Sequence, residues 1–100
     1  MKQTNKETNG TSFYGITFTA TVQDLRKVLG EPTYETNDGE DKVNFEWEME
    51  TEDGEVFTVY DYREDRRLNE YEDIEWHIGG RSGLTTGKAL SEITEALESI

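Results

Sequence analysis

The sequence predicts an α+β domain of two layers, an antiparallel sheet of about four strands with two helices packed on one face. Three observations predict it. Two alternating runs joined by an Asp-Gly turn fill residues 43–62, further alternation marks 13–20 and 74–78, and helical spacing marks 22–29 and 89–100. At 100 residues without an internal repeat, the chain has room for one modest core. A single domain is expected over 12–100, behind a disordered tail.

Residues 1–11 are polar and aperiodic, which predicts that tail. The run FYGITFTA, Phe13 to Ala20, places Tyr14, Ile16, Phe18 and Ala20 on one face and Gly15, Thr17 and Thr19 on the other, as a half-buried strand does. Thr21 and Asp24 make an approximate capping box before Leu25, Val28 and Leu29, which share a helical face; Gly30 and Pro32 stop the helix.

The hairpin VNFEWEME, TEDG, EVFTVYDY has two candidate registers. A two-residue Asp53-Gly54 loop would put Phe57 and Val59 on the face of Glu46, Glu48 and Glu50, mixing core with charge. A three-residue loop, Glu52 to Gly54, with Gly54 left-handed, aligns Met49 with Phe57 and Trp47 with Val59. The second register is expected, leaving Asn44, Glu46, Glu48 and Glu50 beside Thr58, Tyr60 and Tyr62. In the last strand Ile74, Trp76 and Ile78 face the core, while Glu75 and His77 share the outer face. A Gly-rich loop, GGRSGLTTGK, then leads to an amphipathic helix carrying Ala89, Leu90, Ile93, Ala96, Leu97 and Ile100.

Charge bounds the function. With 23 acidic and 10 basic residues the formal net charge is -13, which argues against direct binding of nucleic acid through its phosphates. Twelve acids against Lys42 alone fall within 31–62, a regional net of -11 that solubility does not require. No cysteine is present, and His77 is the one histidine, so thiolate and histidine-rich metal centres are ruled out. No apolar run reaches membrane-spanning length, and no signal-peptide pattern opens the chain, so a cytoplasmic protein is expected. Disorder would suit 32% apolar residues and this charge, but the eleven aromatics and the periodicity oppose it.

The acidic hairpin face is the foremost candidate site. Alternate strand residues project about 7 Å apart, so Glu46, Glu48 and Glu50 form a carboxylate row, extended by Glu52, Asp53 and Glu55, with Tyr60 and Tyr62 as aromatic anchors for a partner. Glu31, Glu35, Asp38, Glu40 and Asp41 extend the row on the side before the hairpin. Such a row imitates a phosphate backbone and suits a basic groove; its plainer role is to keep a sheet face hydrated and unaggregated. The segment NDGED, Asn37 to Asp41, is a fragment of a calcium loop without the full spacing, and no metal or cofactor is expected. The short chain offers no cleft with a carboxyl in apolar surroundings, and no nucleophile has a supporting motif, so no enzymatic activity is expected.

The second candidate is the strand, Gly-rich loop and helix of 74–88. Backbone N–H groups in that setting cradle phosphates, with Gly79, Gly80, Arg81, Ser82 and Lys88 around the anion and Tyr60, Tyr62, Trp76 or His77 around a base. The Walker pattern fails, because Ser82 stands at its first glycine and Ala89 replaces the Ser or Thr. The plainer reading is that these glycines permit close packing. Arg63, Arg66 and Arg67, alternating with Glu64 and Asp65, are expected to form local ion pairs of small energy.

The segments SFYGITFTAT, DLRKVLGEPTY, KVNFEWEMETEDGEVFTVYDYRE and EWHIGG, in this order, resemble a family of small acidic proteins encoded by bacteriophages and prophages, across residues 12 to about 98. The layout of TVQDLRKVLGEPTY before an aromatic hairpin is also similar to outer-membrane lipoproteins of the barrel-assembly machinery and to lactamase-inhibitor modules, but the lipobox cysteine is absent and no membrane role follows. The phage resemblance implies a protein of the host cytoplasm. The expected function is that of an acidic inhibitor that occupies a host nucleic-acid-handling or defence protein with a basic surface. The alternative is a protein that sequesters a small nucleotide signal through residues 79–88. The small core and an edge strand also favour a homodimer.

Overall fold

The computed structural model describes all 100 residues and contains, in chain order, β1 (Lys2–Gln3), β2 (Ser12–Ala20), α1 (Val22–Leu29), β3 (Tyr34–Glu35), β4 (Phe45–Glu50), β5 (Val56–Tyr60), β6 (Ile74–Gly80) and α2 (Gly83–Glu98). The strands form one antiparallel sheet in the order β1-β4-β5-β6-β2, with β3 also on β4. Both helices pack on one face, giving the expected two-layer α+β architecture with two short strands added at one edge.

The hairpin has the three-residue register, with Met49 opposite Phe57 and Trp47 opposite Val59. Gly54 holds φ at 86°, a left-handed conformation open to glycine at little cost, and its N–H closes the turn on the carbonyl of Thr51. This register sends Phe45, Trp47, Met49, Phe57 and Val59 into the core with Ile74, Trp76 and Ile78. Trp47 and Trp76 meet edge to face at 5.5 Å. Their indole N–H groups donate to the two ends of α1, Trp76 to the carbonyl of Ala20 at 2.9 Å and Trp47 to that of Gly30 at 2.8 Å. An eight-residue helix is too short to hold itself in water; Thr21 caps it through the N–H of Asp24, Val22, Leu25 and Leu29 anchor it, and the indoles clamp both ends.

Four expectations are corrected. Residues 1–11 are no disordered tail: Lys2 and Gln3 pair with Glu50 and Met49 at one edge of the sheet, and the chain then reaches β2 at the other edge. The intervening residues form a strap over the face opposite the helices, and the described fold therefore begins before residue 12. Polar hydrogen bonds and ion pairs hold the strap, so it leaves no apolar period in the sequence. Second, GGRSGLTTGK is not a loop: Gly79 and Gly80 finish β6, and α2 starts at Gly83 because the Ser82 hydroxyl accepts the N–H of Thr85 as an N-cap. Third, Asn44 precedes β4 and is buried rather than aligned with the glutamates. Fourth, Glu31 and Glu35, expected to extend the acidic row, are ion-paired with Arg26, which also holds Glu70, so part of the acidity is internally compensated.

Candidate functional site

The strap divides the outer face in two. Under it, the Lys6 ammonium lies 2.7 Å from the buried Glu50 carboxylate, Lys2 lies at 3.9 Å, and Thr8 donates its hydroxyl to Glu48 at 2.8 Å. The Lys6 hydrogen bond holds the Glu50 carboxyl below its usual range. Glu46, Glu48 and Glu50 therefore share a face as expected but do not present a solvated row. At the hairpin tip Asp53 and Glu55 flank Lys88, at 2.8 and 3.4 Å, while Glu52 is exposed. The Lys88 and Thr51 hydrogen bonds lower the Asp53 carboxyl, and Asp53 and Glu55 raise the Lys88 ammonium.

The anion cradle expected at 79–88 is spent on internal contacts. Arg81 donates to the backbone carbonyls of Glu7 at 2.7 Å and Asn9 at 3.1 Å, fastening the strap. Lys88 is ion-paired, Ser82 caps its own helix, and Trp76 is wholly buried with its N–H satisfied. The glycines serve close packing: a Cβ on Gly79 would stand 2.6 Å from the Thr58 hydroxyl, and one on Gly80 would stand 2.9 Å from a Thr86 methyl. A cleft of about 540 Å³ does remain between the strap, the hairpin tip and the start of α2, but Glu7 and Glu55 line it beside Lys6 and Arg81.

Beyond the strap the outer face is open, and four rings converge there. His77 lies 4.9 Å from Phe13, 5.7 Å from Tyr60 and 5.6 Å from Tyr62, ring centre to ring centre. Together they line a concavity of about 300 Å³. A neighbouring hollow runs from Tyr60 and Tyr62 past Glu46 and Lys42 to the strap at Thr8 and Thr11. Nδ1 of His77 is buried without a hydrogen-bond partner.

The register explains this convergence. Tyr60 and His77 are opposed across β5 and β6, and Glu46 is opposed to Tyr60 across β4 and β5. Burial and the nearby Glu48 charge push the Glu46 carboxyl up. Burial likewise raises Tyr60, with Glu46 and Tyr62 adding to it.

Sequence reasoning identified Tyr60, Tyr62 and His77 but missed Phe13. Its signal was Gly15, a glycine inside a strand, where the β2–β6 register shifts between Phe13 and Thr17. The bulge leaves Phe13 opposite Gly79, two positions along β6 from His77, and the Phe13 and His77 rings meet at 4.9 Å. No cluster of three or more His, Asp or Glu side chains is arranged to hold a metal ion, and no helix is long and apolar enough to cross a membrane. No family model, curated protein or solved structure matches the chain, so the assignment of this face rests on its own geometry.

Proposed function

We propose that the chain is a non-catalytic binding protein of phage type that occupies the basic surface of a host nucleic-acid-handling or defence protein. The observation that carries this reading is an open aromatic concavity on a protein with many uncompensated carboxylates. Asp38, Glu40, Asp41, Glu52 and Glu75 are exposed and have no cation within 4 Å. Aromatic anchors supply contact energy at the centre of an interface, while unpaired charge speeds and orients encounter. Phosphate imitation falls to these exposed groups rather than to Glu48 and Glu50 beneath the strap. Sequestration of a nucleotide is the weaker reading, because Arg81 and Lys88 are engaged within the chain and the net charge repels an anion.

Native mass spectrometry of the protein, purified gently at low salt from bacterial cells with an active defence repertoire, tests this. The expected result is an added polypeptide that dissociates at high salt and is displaced by its own nucleic acid. Neutralising Asp38, Glu40 and Asp41 together should weaken that complex and flatten its salt dependence. A retained mass of a few hundred daltons, indifferent to these substitutions, would overturn the proposal in favour of ligand sequestration.

A further inference from the structure

We propose that the concavity of Phe13, Tyr60, Tyr62 and His77 receives an arginine side chain of the partner, whose guanidinium stacks on the tyrosine rings and pairs with Glu46 in the adjoining hollow, which shares Tyr60 and Tyr62 with the concavity. This rests on the binding function above and names its central contact. Glu46 supplies the first reason. It is half-buried beside Tyr60, yet no cation lies within 4 Å and no donor of the chain bonds its carboxylate, whereas Glu48 and Glu50 on the same strand are both engaged. A carboxylate partly withdrawn from water without a partner carries a desolvation cost, and an incoming cation offsets it.

The rings supply the second reason. The Arg63 guanidinium already lies 5.2 Å from the centre of the Tyr62 ring, so a planar cation is accommodated on this surface. A lysine ammonium is compact and strongly hydrated, while the flat guanidinium stacks on aromatic faces and gives up its water more readily. An apolar occupant would bury Glu46 further and leave it unpaired. A nucleotide would bring phosphate toward Glu46. At about 300 Å³ the concavity has room for one arginine side chain.

The test is an NMR titration of the full chain with acetyl-Gly-Arg-Gly-amide, with the citrulline peptide of the same sequence and with adenosine 5′-monophosphate. The arginine peptide should move the ring signals of Phe13, Tyr60, Tyr62 and His77, and the neutral citrulline peptide should bind at least tenfold more weakly. Glu46→Gln and Tyr62→Ala should each weaken the arginine peptide at least fivefold. Unchanged indole N–H signals of the buried Trp47 and Trp76 would verify that each variant is folded. Equal binding of both peptides, or movement of the same rings by the nucleotide alone, would overturn the proposal. If the arginine peptide moves only signals of 38–41, the anchor is wrong and the acidic binding function stands. If an oligoarginine peptide also binds nowhere, both fall.

Discussion

Asp61 grips Asn44 with both carboxylate oxygens. Oδ1 accepts the backbone N–H groups of Asn44 at 2.9 Å and Phe45 at 2.8 Å, and Oδ2 accepts the Asn44 side-chain amide at 3.0 Å. Asp61 is fully buried and has no cation within 4 Å, so amide dipoles alone compensate its charge. Asn44 carries the contact onward, donating to the carbonyl of Arg66 at 3.1 Å and accepting the N–H of Gly39 at 3.1 Å. One buried pair thus ties the loop before β4 to the loop after β5, beside the open concavity.

Asp61→Ala should therefore cost about 3 kcal/mol, because it strands three donors in a dry site. Urea denaturation followed by the fluorescence of Trp47 and Trp76 measures this directly. A loss below about 0.5 kcal/mol, the range of ordinary surface substitutions, would show that water or rearranged loops replace the carboxylate.

The strap makes a different prediction, one that depends on pH. The folded Glu50 carboxyl lies below its usual range because Lys6 hydrogen-bonds its charged form. Stability from this pair is present above the unfolded carboxyl pKa, about 4.3 for glutamate, and is lost as pH falls through the lower folded value. Lys6→Met should lower the urea midpoint at pH 7, and its deficit against the parent chain should shrink steadily below about pH 4. A deficit that persists unchanged in acid would assign the role of Lys6 to its hydrogen bond with the Gly54 carbonyl rather than to the Glu50 ion pair.

What the sequence made legible was whatever apolar periodicity and turn chemistry encode. The hairpin register followed from keeping Trp47 and Met49 on the same face as Phe57 and Val59, and the first helix from Thr21 and Gly30. Polar order was illegible. The strap is held by Lys6, Thr8 and the carbonyls that Arg81 reaches, none of which imposes a period. Asp61 had a signal, since it continues the inward phase of Phe57 and Val59, but a lone acid after a strand reads as loop until its donors are known. Phe13 depended on a bulge at Gly15 that pattern counting passes over. Helical spacing in the sequence shows only the later part of the second helix, because Gly83 and Gly87 read as loop, while the Ser82 cap outweighs their poor propensity.

Gly79 separates the two meanings a glycine pair can have. If Gly79 and Gly80 cradled an anion, Gly79→Ala would remove ligand binding and leave the fold nearly untouched. The close approach of Thr58 predicts the reverse, since an added Cβ would meet the Thr58 hydroxyl at 2.6 Å and an edge carbon of Tyr60 at 3.6 Å. The strand backbone at Gly79 lies outside the left-handed region, so the penalty is steric rather than conformational. Overpacking of this kind costs about 1–3 kcal/mol. Removing the obstructing hydroxyl and methyl should relieve it, so Gly79→Ala combined with Thr58→Ala should be more stable than the sum of the two single losses predicts, by about 1 kcal/mol. Thermal or urea unfolding of the four chains in this cycle measures the coupling. Additive losses would mean that the Thr58 side chain rotates away without cost, and that some other neighbour demands glycine where β6 passes beneath the strap.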